Sequence, residues 1–489
     1  MRRAPLAAVA LALMCGIAAQ HWLTTTPTQI WYIATFAAAL ACGLMLALRR
    51  KMALYPTLLL ALVCVAGTGA MLGRRCDPRQ NRHDWVNMAR SIADVEHNSQ
   101  KMPNEEGKMQ LWLEVELTET PQPRGRSHRT KATVKSINGR YAEGPMTVYL
   151  RKDSTAATLE YGCRMLIHGY ADTARRTIYT TSDHYIVTYR DSTSLRASSE
   201  RLRMRLLQRM QQGPLNQRAA GVAEAMTLGW KADIDKETQA KYRDAGIAHL
   251  LAVSGLHVGL VAAMAGALCF WIPKHRKGKA ARGAVQLTAV WTFCVLTGMS
   301  PSTMRAALMF SLLIVSNVSE RGTPTINLLA LTAIITLTAQ PMLLFDIGWQ
   351  LSYSAVAGIL LGRPLITMYR NKIWQATMVS IVATLATLPV MVGTFHRLQP
   401  YFLIANVLIV PMAGIMLALA LLYMAVPTPA TAWPLEQLLS AAEWLTGKVA
   451  ALPGAVVELE PTANWVTAVV AVAATAILVG INRSMNTTT

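Results

Sequence analysis

The alternation of apolar and polar positions divides the chain into stretches of different character. At both ends charge-free apolar runs dominate: Ala4–Leu48, Met52–Gly73, Gly246–Pro273, Gly283–Met304, Ala306–Ser319, Gly322–Phe345, Ile347–Gly362, Ile373–His396, Leu398–Leu435 and Pro461–Asn482. A membrane helix needs about 20 apolar residues. The first run therefore holds two helices, broken near Thr24-Thr25-Thr26-Pro27. The set as a whole predicts about ten spans. Arg2-Arg3 before an apolar run resembles a signal peptide, but two more spans follow it, so a retained first helix is expected.

Between Arg74 and Thr193 the period changes to two. A helix over Asp84–His97 comes first. Strand-like segments follow: M-Q-L-W-L-E-V-E-L-T-E-T, R-T-K-A-T-V-K-S-I, M-T-V-Y-L-R, R-M-L-I-H-G-Y-A-D and T-I-Y-T-T-S-D-H-Y-I-V-T-Y. Turn residues at Pro121, Pro123, Asn138-Gly139, Gly144-Pro145 and Gly162 separate them. Short strands so spaced predict a small OB-like barrel. Such barrels often bind single strands through aromatics and a basic groove. Arg124, Arg126, Arg129, Lys131 and Lys135 cluster near a turn, with Tyr141, Tyr149, Tyr179, Tyr185 and Tyr189 nearby. A solvated loop with ordinary strand aromatics explains the same residues, and composition favours it.

Residues 198–212, S-S-E-R-L-R-M-R-L-L-Q-R-M-Q-Q, predict a basic amphipathic helix. Leu202, Leu206, Leu207 and Met210 form its apolar face, and Arg201, Arg203, Arg205 and Arg209 crowd the remainder. A membrane surface is the usual partner of such a helix; an incoming polyanion is the alternative. Trp433–Leu452 carries the stripe Leu435, Leu438, Leu439, Ala442, Leu445, Val449 and Leu452, and predicts an interfacial helix. The resulting plan has three N-terminal spans in 1–75, an extracytoplasmic β domain in 76–195, amphipathic helices in 196–245 and a helical membrane domain in 246–489. The fold class is a polytopic α-helical membrane protein with an inserted all-β domain.

Composition supports the membrane reading and moderates the charge. The 489 residues are 53% hydrophobic and 15% charged, with a net charge of +20. The excess is uneven: 7 basic and no acidic residues in 1–75, against 17 and 15 in 76–195. Arg2-Arg3, Arg49-Arg50-Lys51 and Lys274–Arg282 lie in short loops. That is the positive-inside pattern, and it places the N-terminus in the cytoplasm. Arg483 places the C-terminus there as well. Five of the seven cysteines fall in apolar spans. Cys76 and Cys163 fall in the polar segment and can pair if it is extracytoplasmic, though spacing alone does not decide this.

Polar residues are sparse after residue 246. The stretch D-A-G-I-A-H-L-L-A-V-S-G-L-H-V-G-L, 244–260, holds His249, Ser254, Gly255, His257 and Gly259. It reads either as a helix with small packing residues or as a polar, cavity-lining element. Arg305 and Asp346 each stand alone in an apolar run, and buried membrane charges usually pair or line water. Pro389, Gly393, Pro400, Asn406, Pro411 and Gly414 interrupt the later runs. Ser254 and His257 can hydrogen-bond across one helical turn, but no acid or oxyanion partner accompanies them, so no enzyme is expected. No P-loop, metal cluster or nucleophile elbow occurs, so neither a cofactor nor a metal is expected.

H-L-L-A-V-S-G-L-H-V-G, 249–259, closely resembles the signature of ComEC-type competence proteins. A-M-T-L-G (225–229), Y-R-D-A-G-I-A-H (242–249), S-P-S-T-M-R-A (300–306), D-I-G-W-Q-L-S-Y-S-A-V-A-G-I (346–359), L-A-T-L-P-V (385–390) and A-N-V-L-I-V-P (405–411) extend the resemblance in order. It implies a multi-pass bacterial inner-membrane channel that passes single-stranded DNA inward during natural transformation. It implies an OB-like extracytoplasmic domain, a periplasmic DNA receptor and a cytoplasmic helicase-type motor as partners, and contact with the lipid bilayer. It makes His249, Ser254, Gly255, His257, Gly259, Arg305, Asp346, Gln350 and Asn406 candidates for the pore, and Arg201, Arg203 and Arg205 candidates for DNA contact. Many members carry a C-terminal metallo-β-lactamase-like domain, and none is expected here. Lys231 departs from the acidic residue expected after L-G. The rival reading is a transporter of a small solute or lipid precursor that uses the intramembrane polar residues.

Overall fold

A computed structural model describes residue 35 and residues 5–22, 54–97, 108–151, 158–180, 185–190 and 194–459, except positions 80, 82, 126, 274 and 321. The chain divides into two compact units, Arg75–Leu206 and a second made of Met1–Arg74 with Leu207–Thr489.

The first unit is a closed five-stranded barrel. Its strands are β1 (Lys108–Leu117), β3 (Ser127–Ile137), β4 (Arg140–Arg151), β5 (Cys163–Asp172) and β6 (Thr177–Thr180), with β2 (Gln122–Arg124) and β7 (Tyr185–Arg190) added to them. The ring closes because β1 pairs with both β3 and β5, while β4 and β6 form a parallel pair. Alternation decides the inside. Leu111, Leu113, Val115 and Leu117 of β1 are buried, as are Met165 and Ile167 of β5, and the intervening positions face out. The single strand expected over 177–189 is two strands. They run in line along the same edge of β5, β6 against Tyr170–Asp172 and β7 against Cys163–Ile167.

Helix α3 (Trp85–His97) completes the core. Trp85, Val86 and Ala89 are buried with the barrel residues, and the Trp85 indole donates to the Pro145 carbonyl at 3.1 Å. Asp84, next to it, is buried against the Arg176 guanidinium at 2.9 Å. Cys163 lies in this core and Cys76 is exposed, and the pairing that the sequence left open is not formed in the structure, where both are free thiols. The side chain of Cys163 follows the inward alternation of β5, which turns it away from the surface.

The second unit is helical. It contains α1 (Pro5–Trp22), α2 (Leu54–Cys76), α5 (Gln217–Leu228) and α6 (Lys236–Asp244). After a 3-10 turn at Ala248–Leu251 come α7 (Gly255–Leu268), α8 (Arg276–Leu296), α9 (Pro301–Val318) and α10 (Thr325–Ala339). A second 3-10 turn, Pro341–Phe345, leads to α11 (Ile347–Leu361), α12 (Lys372–Phe395), α13 (Phe402–Ala425) and α14 (Pro429–Ala450). The unit boundaries fall inside the last turn of α2 and inside α4 (Leu195–Gln211).

Four described helices are long and apolar enough to cross a membrane: α1, α9, α12 and α13. α7, α10 and α11 are apolar but shorter, at 14, 15 and 15 residues. Charge-free runs overestimate helix length here, because the 3-10 turns consume the first residues of the Gly246 run and the last of the Gly322 run. The span expected over 461–482 lies outside the described residues.

Close packing rests on small residues. A β-carbon at Gly16 would overlap the Ala66 carbonyl, so α1 and α2 touch backbone to backbone. Gly358 plays the same part between α11 and α12, where a β-carbon would lie 2.6 Å from the Val382 carbonyl oxygen. Ala10, Leu13 and Ile17 of α1 share a core with Leu337, Trp349 and Tyr353.

Two amphipathic faces were tested by burial. On α14 the buried residues are Ala432, Leu435, Leu439, Ala442, Thr446 and Val449, so most of the expected stripe is inside, with Leu438 and Leu445 half-buried. On α4 the expected face is rotated. Glu200, Arg203, Leu207 and Met210 are buried while Leu202 is exposed. The i,i+3 ion pair between Arg203 and Glu200, at 3.1 Å, neutralises both charges and lets a polar stripe go inside.

Candidate functional site

Several of the sparse polar residues of the helical unit meet at one place, the starts of three helices. Ser254, Ser300 and Asp346 are the N-caps of α7, α9 and α11. Helix α8 packs along α7 and α9, and α10 packs along α9 and α11. Successive reversals therefore run α7, α9 and α11 in the same direction, with their N-termini on one side. Side chains tie the three starts together. Ser302 Oγ donates to the Val253 carbonyl at 2.9 Å, and an Arg305 terminal nitrogen donates to the Gly348 carbonyl at 3.0 Å. A β-carbon at Gly255 would meet Ala306 Cβ at 3.9 Å.

Each cap has its own chemistry. Asp346 Oδ1 accepts from the Trp349 N–H at 2.7 Å, and Ser300 Oγ accepts from the Thr303 N–H at 3.4 Å. At α7 the pairing is unusual. His257 Nδ1 accepts from the Ser254 N–H at 3.3 Å and lies 3.1 Å from Ser254 Oγ. An accepting Nδ1 puts the ring proton of a neutral imidazole on Nε2. That Nε2 is buried without a hydrogen-bond partner. The Ser–His contact expected from spacing is thus present, and it serves the helix start.

Arg305 and Asp346, isolated in sequence, are neighbours in the fold. A β-carbon at Gly348 would lie 3.2 Å from Asp346 Oδ1 and 3.5 Å from an Arg305 terminal nitrogen. Arg305 is only 6% exposed, and its Nε has no partner. His249, Gly255, Pro301, Asp346, Ile347 and Gly348 are exposed, so the joint start of the three helices is open.

The other candidates have contacts of their own. Gln350 donates to the Leu344 carbonyl at 2.9 Å and holds the preceding 3-10 turn. Gly259 lies under the Phe310 ring, in the contact between α7 and α9. Asn406 Oδ1 is buried on α13 without a partner. Gly246 has φ +77°, and a β-carbon there would be 2.8 Å from Phe402 Cβ, so only glycine lets this loop lie on the start of α13.

On the barrel, strand register builds a row that alternation alone does not reveal. Arg129 pairs with Tyr149, Tyr149 with Tyr179, Tyr179 with Tyr170 and Tyr170 with Gln110. The row crosses β3, β4, β6, β5 and β1. Tyr149 and Tyr179 stack at 4.9 Å, and Tyr170 and Tyr179 are 51% and 47% exposed. Beside the row Trp112 stacks on His168 at 4.7 Å. Tyr185, by contrast, belongs to the core.

Two members of the predicted basic cluster, Lys131 and Lys135, are compensated by carboxylates, while Arg129 Nε is buried without a partner. Lys131 pairs with Glu119 at 2.7 Å, and Lys135 and Arg164 both reach Glu116. Arg203 is spent on Glu200, and Arg201 donates to Ser198 Oγ at 3.1 Å. Arg205 is exposed. Arg126 and the side chain of Arg124 lie outside the described residues. Among the described residues no three His, Cys, Asp or Glu side chains gather to hold a metal ion.

Sequence reasoning missed Glu224. It is 1% exposed on α5, a helix buried on every side from Ala219 to Leu228. Burial first, and then the neighbouring Asp233 carboxylate, push its pKa from near 4.5 up to about 8. Asp233 accepts from the Trp230 indole at 2.7 Å and from Gln211 at 3.0 Å. A single carboxylate among alanines in a helix with no polar face was the available signal.

Residues 226–484 match the family described as Competence protein. ComE operon protein 3 of Bacillus subtilis (strain 168) is 28% identical over 193 residues, which is 40% of this chain. The matched part is 24% of that relative, so the chain spans about a quarter of its length. No solved structure matches.

Proposed function

The chain belongs to the Competence protein family, and on that premise we propose that it is a multi-pass inner-membrane channel that passes single-stranded DNA into the cytoplasm. The carrying observation is that the matched region is also where the isolated polar residues of α7, α9 and α11 come together. Helices of 14 and 15 residues reach only about 21–23 Å, against a hydrocarbon core of about 30 Å. Helices that begin within that thickness need protein or water around their free backbone groups. An open junction of polar helix starts meets the requirement, and a conduit for a polyanion needs such a junction.

The barrel supplies the outer element of the reading. A closed five-stranded barrel with one parallel pair supports an OB assignment. Its tyrosine row, with Arg129 at one end, offers π-faces spaced about 5 Å apart, the separation of adjacent strands. Bases stack on such platforms with little sequence preference. Because Lys131 and Lys135 are already paired with carboxylates, stacking on the tyrosine row provides more of the affinity in this scheme than those two charges do. The N-terminus is cytoplasmic in this scheme and the barrel is outside. A receptor delivers DNA to the barrel, and a helicase-type motor draws the strand inward.

The test is uptake in the host strain. With the gene deleted, labelled duplex DNA should reach the cell surface while no labelled strand enters the cytoplasm. Normal accumulation of cytoplasmic single strands in the deletion strain would refute the channel.

A further inference from the structure

We propose that the joined first turns of α7, α9 and α11, with Arg305 among them, form a phosphodiester-recognising constriction that touches the backbone of the passing strand. The proposal rests on the DNA-channel reading and names the chemistry by which that channel would touch the strand.

The first turn of a helix carries N–H groups with no intrahelical acceptor. Here the first intrahelical bonds run from Val258, Met304 and Gln350 to the three cap residues. Thr303 and Trp349 are capped by side chains. The N–H groups of Gly255, Leu256, Ser302, Ile347 and Gly348 remain, and Pro301 has none to offer. Such groups, with the positive end of the helix dipole, form an anion site without any lysine.

Arg305 is the second, independent sign. It is buried, its Nε is unpartnered, and its terminal nitrogen already reaches the first turn of α11. Burying a guanidinium with an unused donor is costly, and an anion at this point relieves the cost. The one carboxylate present, Asp346, turns Oδ1 onto the Trp349 N–H. Arg305 and Asp346 leave the junction formally neutral. Attraction then comes from backbone dipoles, which hold a phosphate briefly and release it, as conduction requires.

Backbone donors can be deleted by proline. Gly255 and Ile347 are the first helical residues of α7 and α11, a position that accepts proline. Their preceding residues are extended, Ser254 at φ −120°, ψ 174° and Asp346 at φ −76°, ψ 124°, as a following proline demands. No atom lies nearer than 3.9 Å to a β-carbon at Gly255.

The experiment uses the full chain in nanodiscs with two fluorescent probes of equal length, an oligothymidylate and its abasic counterpart. It is paired with uptake in cells. Gly255→Pro with Ile347→Pro should weaken binding of the abasic probe by about tenfold, the size of one charge-assisted hydrogen bond. Arg305→Gln should do the same, with Arg305→Lys intermediate. Uptake should fall in parallel, while the thermal midpoint of the proline variant stays at the wild-type value. Unchanged abasic binding and uptake in a folded proline variant would overturn the constriction while the channel reading stands. Wild-type uptake in the deletion strain would overturn both. A loss confined to binding of phosphatidylglycerol vesicles would assign the site to lipid headgroups and overturn it as a DNA contact.

Discussion

Replacing Glu224 by glutamine tests the consequence of burying a carboxylic acid in α5. The side chain is 1% exposed, and one of its oxygens has no partner. Burial and then Asp233 raise its pKa from near 4.5 to about 8. The unfolded chain ionises this group near the ordinary value, whereas the folded chain keeps it protonated. Folding therefore binds a proton between the two values, and stability falls as pH rises through that window. The contribution is fully present below the unfolded pKa and gone above the folded one. At about 1.4 kcal/mol per unit, the gap sets a ceiling of about 5 kcal/mol. Glutamine keeps the shape and cannot ionise. The assay is thermal unfolding of both proteins in detergent from pH 4 to pH 9. The curves should lie together below pH 5 and separate steadily, with the variant more stable by pH 9. Coincident curves across the whole range would show that folding does not shift the Glu224 proton and would refute the reasoning. A variant that loses stability equally at every pH would show that a hydrogen bond, not the proton, matters.

Two further outcomes follow from packing and from the barrel row. Gly358→Leu should lower the unfolding midpoint and separate α11 from α12, because even a β-carbon would sit 2.5 Å from Ala386 Cβ; overpacking of this kind costs about 1–3 kcal/mol or more, and an unchanged midpoint would refute the contact. Tyr170→Ala with Tyr179→Ala should weaken oligothymidylate binding by the full chain, at about 1–3 kcal/mol per lost stack, and leave abasic binding untouched; equal loss for both probes would move the platform elsewhere.

The barrel was largely legible because alternation is local. Leu111, Leu113, Val115 and Leu117 declare an inner face without knowledge of any partner strand. The tyrosine row was not legible, since it exists only through register: Tyr149, Tyr170 and Tyr179 come from three strands, and one residue of slip would disperse them. The face of α4 failed for a different reason. Periodicity treats Arg203 as solvent-facing, but Glu200 one turn earlier makes its burial tolerable. In the helical unit the motif residues were identifiable, while their adjacency was not. Arg305 and Asp346 are far apart in sequence, and only the reversal through α10 brings α9 and α11 into line.

The core shared by α1 and the later helices bears on how the protein is made. Ile17 packs with Leu337 and Trp349, so about 300 residues of synthesis separate the halves of one contact. At about 5–20 residues per second, α1 waits roughly 15–60 s for its partners. In that interval α2, held at the Gly16–Ala66 crossing, can cover part of it. The N-terminal helix is therefore enclosed late. A fragment restricted to the family-matched region would leave Trp349 and Tyr353 uncovered where α1 belongs. Co-expressing residues 1–75 as a separate chain is the direct way to restore that face.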